Sequence, residues 1–198
     1  MSGSSDLGSA LAAIDTANTE DPNKISVGSV VWARAEYQGV RATYWLQRLA
    51  PEAHATVTLA ARAHHLRRWV VDRAAYPDGR VGYHRWKRDA RDAARRAIAD
   101  VLRPAGVEHA TMQRVGALVN RDDLGQDADT QLVEDAACLV FLETQFEELI
   151  DRLGEEKVAE AVRKTLRKMS PTAIAIAGEA VQSERGRTLL GRVVAETA

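Results

Sequence analysis

Two stretches of this 198-residue chain set ionisable side chains into otherwise apolar runs. One is Ala60-Ala61-Arg62-Ala63-His64-His65-Leu66-Arg67-Arg68-Trp69. The other is Gln131-Leu132-Val133-Glu134-Asp135-Ala136-Ala137-Cys138-Leu139-Val140-Phe141-Leu142-Glu143. Unpaired charge is expensive to bury, so these groups call for partners. Two imidazoles and three carboxylates form a set that can hold a metal ion or move protons.

Read as a helix, the first stretch puts Arg62, His65 and Trp69 on one face at i, i+3 and i+7. His64 then points roughly 100° away, and an ion over the edge between the two imidazoles could still take both. The alternative is one hydrogen-bonded core histidine with an exposed neighbour. In the second stretch Gln131, Glu134, Asp135, Cys138 and Leu142 gather around one face. A carboxylate at the edge of so apolar a run needs a metal, an Arg or a protonated His. An Arg62 or Arg68 ion pair to Asp135, fixing two helices, would satisfy it equally.

The elements that must position these residues read as helices throughout, because Ala, Leu, Arg and Glu dominate and strand alternation is absent. The pattern predicts helices over Leu7 to Asn18, from Arg41 onward, and from Pro51 to Val71 with Pro51 in the first turn. Residues Ser26 to Gln38 stay open between loop and short helix. Tyr76-Pro77-Asp78-Gly79 is a break. Further helices are expected over Val81 to Leu102, His109 to Asn120, from an Asp127 or Asp129 cap to Leu153, and over Glu155 to Met169. Ser170-Pro171 starts another, and Gly186 to Ala198 forms a last helix or frays. One all-α domain over 1–198 follows, with residues 1–6 and the last few flexible.

Bulk properties narrow the class. The single cysteine, Cys138, cannot form an internal bridge, the first nine residues do not resemble a signal peptide, and no apolar run approaches the ~20 residues that span a bilayer. A cytoplasmic protein without membrane contact is expected. The net charge of −1 conceals an asymmetry: Arg62 to Arg103 holds 12 Arg and Lys against 5 Asp and Glu, while Asn120 to Glu160 holds 13 acidic against 3 basic residues. The two blocks read as solvated faces, partly paired with each other, or the basic one faces a small anionic or phosphorylated molecule. No nucleic-acid recognition module is present, so no nucleic-acid partner is expected. His54, His84 and His109 lack ligand spacing. Lys168-Met169-Ser170-Pro171 is similar to the start of a synthetase KMSKS loop but reads better as a helix end followed by a capped start. The apolar Ala173 to Ala177 packs on the core or on a second subunit, so an oligomer is possible.

A series of residues in order resembles the uncharacterised family catalogued as domain of unknown function 4202. It runs through Ala13-Ile14-Asp15, Glu20-Asp21-Pro22-Asn23, Ala60-Ala61-Arg62-Ala63 with His65, Arg68 and Trp69, then Tyr76-Pro77, Gly82-Tyr83 and Trp86. It continues through Gln131, Glu134-Asp135 and Cys138 to Glu143, and ends in Arg167-Lys168-Met169-Ser170. A more distant resemblance is to the HD superfamily of metal-dependent phosphohydrolases: His64-His65 stands where those helical bundles carry a His-Asp pair, and Asp135 where they carry a later Asp. The second member of the pair departs from that pattern, and the superfamily's earlier His has no counterpart among Arg41, Tyr44 and Trp45.

The resemblance implies an HD-like bundle in which His64, His65 and Asp135 hold a divalent metal ion and Glu134 acts as catalytic base or as a support for the ligands. Arg62, Arg68 and Arg73 would then neutralise a phosphorylated or nucleotide-like substrate, with Trp69, Tyr83 and Trp86 walling its pocket. The competing expectation is a non-catalytic helical module, binding a small anion or a partner protein through a buried Arg/His/carboxylate network.

Overall fold

The computed structural model describes the backbone of residues 3–197 and the side chains of residues 7–197. Residues 1, 2 and 198, where flexibility is expected, lie outside the described residues. Among the described residues the chain is an all-α bundle with one small hairpin. The helices are α1 (Gly3–Asn18), α2 (Arg34–Leu49), α3 (Ala55–Arg62), α4 (Gly79–Leu102), α5 (His109–Val119), α6 (Ala128–Thr144), α7 (Phe146–Leu153), α8 (Glu155–Leu166), α9 (Pro171–Ala180) and α10 (Glu184–Thr197). No helix among them is long and apolar enough to cross a membrane.

The bundle is organised around α6. Val133, Ala136, Leu139, Val140 and Leu142 are all buried, so the helix is apolar on nearly every side and serves as a central rod. It packs most extensively on α2 and also meets α3, α5, α7 and α9. Each such leucine or valine contributes about 1.5–3 kcal/mol on burial. One contiguous apolar core runs from Ala10 and Ile14 in α1 to Val193 in α10.

Three local features depart from the helical expectation. Residues Ser26 to Ala33 belong to a hairpin, and Arg34 to Gln38 open α2, which starts well before Arg41. Strands β1 (Lys24–Val27) and β2 (Val30–Ala33) pair antiparallel, with Val27 opposite Val30, and α2 follows directly. The two-residue Gly28-Ser29 connection, with Gly28 at φ +60°, is what a tight hairpin requires. The buried Asp21 then anchors this unit: one carboxylate oxygen accepts from the Asn23 backbone and side-chain N–H groups, the other from Ala35 N–H at 2.9 Å. Ala33, at the N-cap of α2, offers no side-chain oxygen, so Asp21 supplies the cap from outside the helix.

The helix expected from Pro51 to Val71 begins instead at Ala55, with His54 as its cap, and stops at Arg62. It stops because the His64 side chain donates from Nδ1 to the Ala61 carbonyl at 2.9 Å, competing for an acceptor that a continuing helix would use. Arg67 then takes a left-handed φ of 49°, and two 3-10 turns at Arg68–Val70 and Arg73–Ala75 lead to α4. The helix expected to run to Leu153 is broken at Gln145, where φ is −131°. Thr144 bonds back to the Val140 carbonyl at this break. Asp127 caps α6 as expected, and Ser170 with Pro171 opens α9.

Gly39 sets the approach of α2 to α3: a Cβ there would lie 2.6 Å from the Arg62 carbonyl oxygen, a backbone atom with little room to move. Gly39→Ala is expected to lower stability by about 1–3 kcal/mol despite alanine's better helix propensity. Gly191→Ala, where a Cβ meets open space inside α10, is expected to raise it by about 0.5–1 kcal/mol. Urea melting of the two variants beside the parent checks both signs.

Candidate functional site

The segment from His64 to Val71, which follows α3, borders two adjoining cavities. The first, about 290 Å³, lies between this segment and α4 and is walled by His64, Tyr83, Trp86, Arg91 and Asn120 among others. The second, about 470 Å³, lies toward the hairpin and is walled by Arg34, Gln38, His65, Trp69, Glu134 and Cys138 among others. Arg68, Arg121 and Lys168 line both. These three side chains are the wall between the chambers.

Glu134 is only 2% exposed, and it holds that wall in place. Its carboxylate accepts from Arg121 Nε and lies 3.7 Å from Lys168 Nζ. Asp135, 1% exposed, is turned to other work: its Oδ1 accepts from Gln131 Nε2 at 2.9 Å and from the Ser170 backbone N–H at 2.8 Å. Gln131 also donates to the Lys168 carbonyl. Adjacent acids on α6 therefore fix one strip of chain, Glu134 through the Lys168 side chain and Asp135 through the backbone that follows it. Glu143 is locked to α2 by Arg41 and by Trp45 Nε1 at 2.8 Å.

The two imidazoles are stacked, with centroids 4.1 Å apart, but face different chambers. His65 does not share a helix face with Arg62 and Trp69 as periodicity predicts, because α3 has ended at Arg62. Burial pushes the His64 imidazole down to about 4, with the Arg121 and Arg68 charges acting in the same direction against its bond to Ala61. Burial also drives His65 well below its ordinary value, helped by His64, Arg68, Arg121 and Arg34. Both rings are neutral near pH 7. Burial lifts the Cys138 thiol to about 11, so it carries no thiolate at neutral pH.

Of the residues singled out from sequence, Arg68, Trp69, Tyr83, Trp86, His64, His65 and Glu134 line the cavities. Tyr83 and Trp86 stand with ring centroids 5.8 Å apart, and Trp86 Nε1 donates to the Val71 carbonyl. Arg62, Arg73 and Asp135 line neither cavity. Arg62 pairs with Asp15 at 3.4 Å, and Arg73 donates to the Tyr76 and Pro77 carbonyls, holding the turn before α4. The pair considered between Asp135 and Arg62 or Arg68 does not form.

A divalent ion held by His64, His65 and Asp135 does not fit these donors. Asp135 Oδ1 is taken up by N–H groups, His64 and His65 line separate chambers, and the charges beside them are those of Arg68 and Arg121. Among the described residues no group of three or more His, Cys, Asp and Glu side chains is placed to hold a metal. Sequence reading missed Arg121, Lys168 and Gln38. Arg121 sits at φ +59° in the turn after α5, and Lys168 in the segment taken as a simple helix end. Only the basic end of Arg167-Lys168 beside the apolar helix hinted at either.

His64 makes acid stability predictable. Unfolded, it ionises near 6.5; folded, near 4. Between those values the unfolded chain binds a proton that the fold refuses, so stability is full above about pH 7 and declines toward pH 4, by about 3 kcal/mol from this residue alone. His65 adds in the same direction. Urea midpoints measured from pH 7.5 to 4.5 should fall steadily, and less steeply in His64→Gln.

The family model described as Domain of unknown function (DUF4202) matches residues 8–190. No curated protein and no solved structure matches the chain. The matched span takes in both cavity walls, the two stacked histidines and the Glu134-Asp135 pair, and the chain belongs to the DUF4202 family.

Proposed function

We propose that the protein binds a small phosphorylated molecule at the junction of its two cavities, through a polar network of Arg, His and carboxylate side chains. The carrying observation is the lining of the first cavity: Arg67, Arg68, Lys87, Arg91, Arg121 and Lys168 border it, and no carboxylate among the described residues does. Three of the six are also paired, Arg67 with Glu20 and Arg121 and Lys168 with Glu134. Arg68, Lys87 and Arg91 have no carboxylate partner among the described residues, so about 290 Å³ of space carries an excess of positive charge that favours an oxyanion. In the second cavity both acids are spoken for, Asp21 by backbone N–H groups and Glu134 by Arg121 and Lys168.

In this reading Arg68, Arg121 and Lys168 take the phosphate, because they are the groups reachable from both sides. Arginine offers a planar fork to two phosphate oxygens at once, and lysine offers a mobile point charge. Tyr83 and Trp86 give the first cavity a flat apolar wall that suits a base or sugar ring. The cavity volumes are in the range of small-molecule sites. The reading rests on anion recognition and routes nothing through a metal ion; metal-assisted phosphoester hydrolysis would need a donor set beyond the one described above.

Titration of the protein with inorganic phosphate, pyrophosphate and a nucleoside monophosphate, followed by tryptophan fluorescence, tests it. Arg68→Ala and Lys168→Ala should each weaken binding by about tenfold to a hundredfold, as expected for a lost charge-assisted hydrogen bond. Arg192→Ala, which removes an exposed pair to Glu156 far from the cavities, should leave it unchanged. Binding that is absent, or equal in all variants, rejects the reading.

A further inference from the structure

A chain of hydrogen bonds fixes which nitrogen of His65 carries the proton. It starts at the break in α6, where Thr144 Oγ1 donates to the Val140 carbonyl at 2.8 Å. With its proton committed there, the Thr144 oxygen accepts from Gln38 Nε2 at 2.9 Å. The Gln38 amide is thereby oriented, and its Oε1 accepts from His65 Nδ1 at 2.7 Å. Gln38 is 2% exposed, so no solvent competes for this arrangement. A neutral imidazole has one N–H, and here it is on Nδ1. Nε2 is left with a lone pair, has no partner in the protein, and is not sealed from the second cavity, which His65 lines.

The charged and titratable groups around it come from every neighbouring element: Arg34 on α2, Asp21 before the hairpin, His64 and Arg68 on the segment after α3, Arg121 after α5, Glu134 on α6 and Lys168 after α8. The cations attract an oxyanion, yet the lone pair on Nε2 repels an oxygen that carries no hydrogen. The two requirements are met together only by a ligand that is both anionic and a donor.

We propose that His65 is a specificity-determining residue, accepting through Nε2 a hydrogen bond from the ligand, so that the site selects a protonated oxyanion, hydrogen phosphate being the simplest, over one with no O–H. The inference rests on the anion-binding reading above and names the ligand chemistry of the same site. Gln38 is the positioning residue that holds the ring in its accepting form.

Four tetrahedral dianions separate the possibilities at pH 8, where His65 is neutral. Hydrogen phosphate and hydrogen arsenate keep an O–H; sulfate and molybdate have none. Phosphate and arsenate should bind the parent protein about tenfold or more tighter than sulfate and molybdate, because an acceptor facing an acceptor leaves a buried group unpaired. His65→Gln, whose amide can turn an N–H toward the ligand, should bring the four affinities together, mainly by raising that for sulfate. Gln38→Met, which keeps His65 but frees its tautomer, should do the same more weakly. Equal binding of the four by the parent overturns this selection while leaving anion binding intact, as does a preference for phosphate undiminished in folded His65→Gln. Failure of the parent to bind any of them removes the anion-binding reading itself, and this inference with it.

Discussion

Glu134 sits almost wholly out of solvent on a helix that is otherwise apolar on nearly every side, and its charge is met by two cations from distant parts of the chain. Arg121 arrives from the turn after α5 and Lys168 from the end of α8. Both cations keep part of their side chains in solvent, Arg121 at 37% and Lys168 at 54%, while the carboxylate they meet is 2% exposed. Breaking such a group by removing one partner commonly costs several kcal/mol, because the charge left behind stays desolvated. Two of the three cations shared by both cavities are therefore tied to one buried carboxylate. Asp135, beside it, supports the same wall from below by capping the backbone at Ser170.

Much of this was legible in the sequence, and the part that was not has identifiable causes. The all-α architecture, the Ser170-Pro171 start, the Asp127 cap and the break before α4 follow from composition and capping chemistry. The Glu134-Asp135 pair and the His64-His65 pair stood out because charge in apolar runs demands partners; His64, His65 and Glu134 do line the cavities, and Asp135 does not. The end of α3 was hidden because it depends on a histidine side chain reaching a carbonyl three residues back, which leaves no periodic signature. The hairpin was hidden for the opposite reason: Val27-Gly28-Ser29-Val30 is a turn signal, but the flanking alternation of Ile25, Val27, Val30 and Trp32 is too short to stand out among helices.

The partners of the acids were harder to foresee. Asp135 precedes the apolar run as a ligand would, and nothing in the linear order distinguishes a carboxylate that caps a backbone from one that faces a cavity. Arg121 and Lys168 belong to turns whose course is set only when α5 and α8 have packed. The charge asymmetry between Arg62–Arg103 and Asn120–Glu160 does reappear in the fold. Some of it is spent in surface pairs such as Arg95 with Asp122 and Arg67 with Glu20, while Arg68, Lys87 and Arg91 are left to border a chamber without acids.

Because Arg68, Arg121 and Lys168 border both chambers, anything that entered either one would meet the same three side chains. Any free energy by which filling one chamber alters the affinity of its neighbour must act equally in reverse. A substitution at any one of the three therefore alters both chambers at once, and neither can be reshaped alone through them.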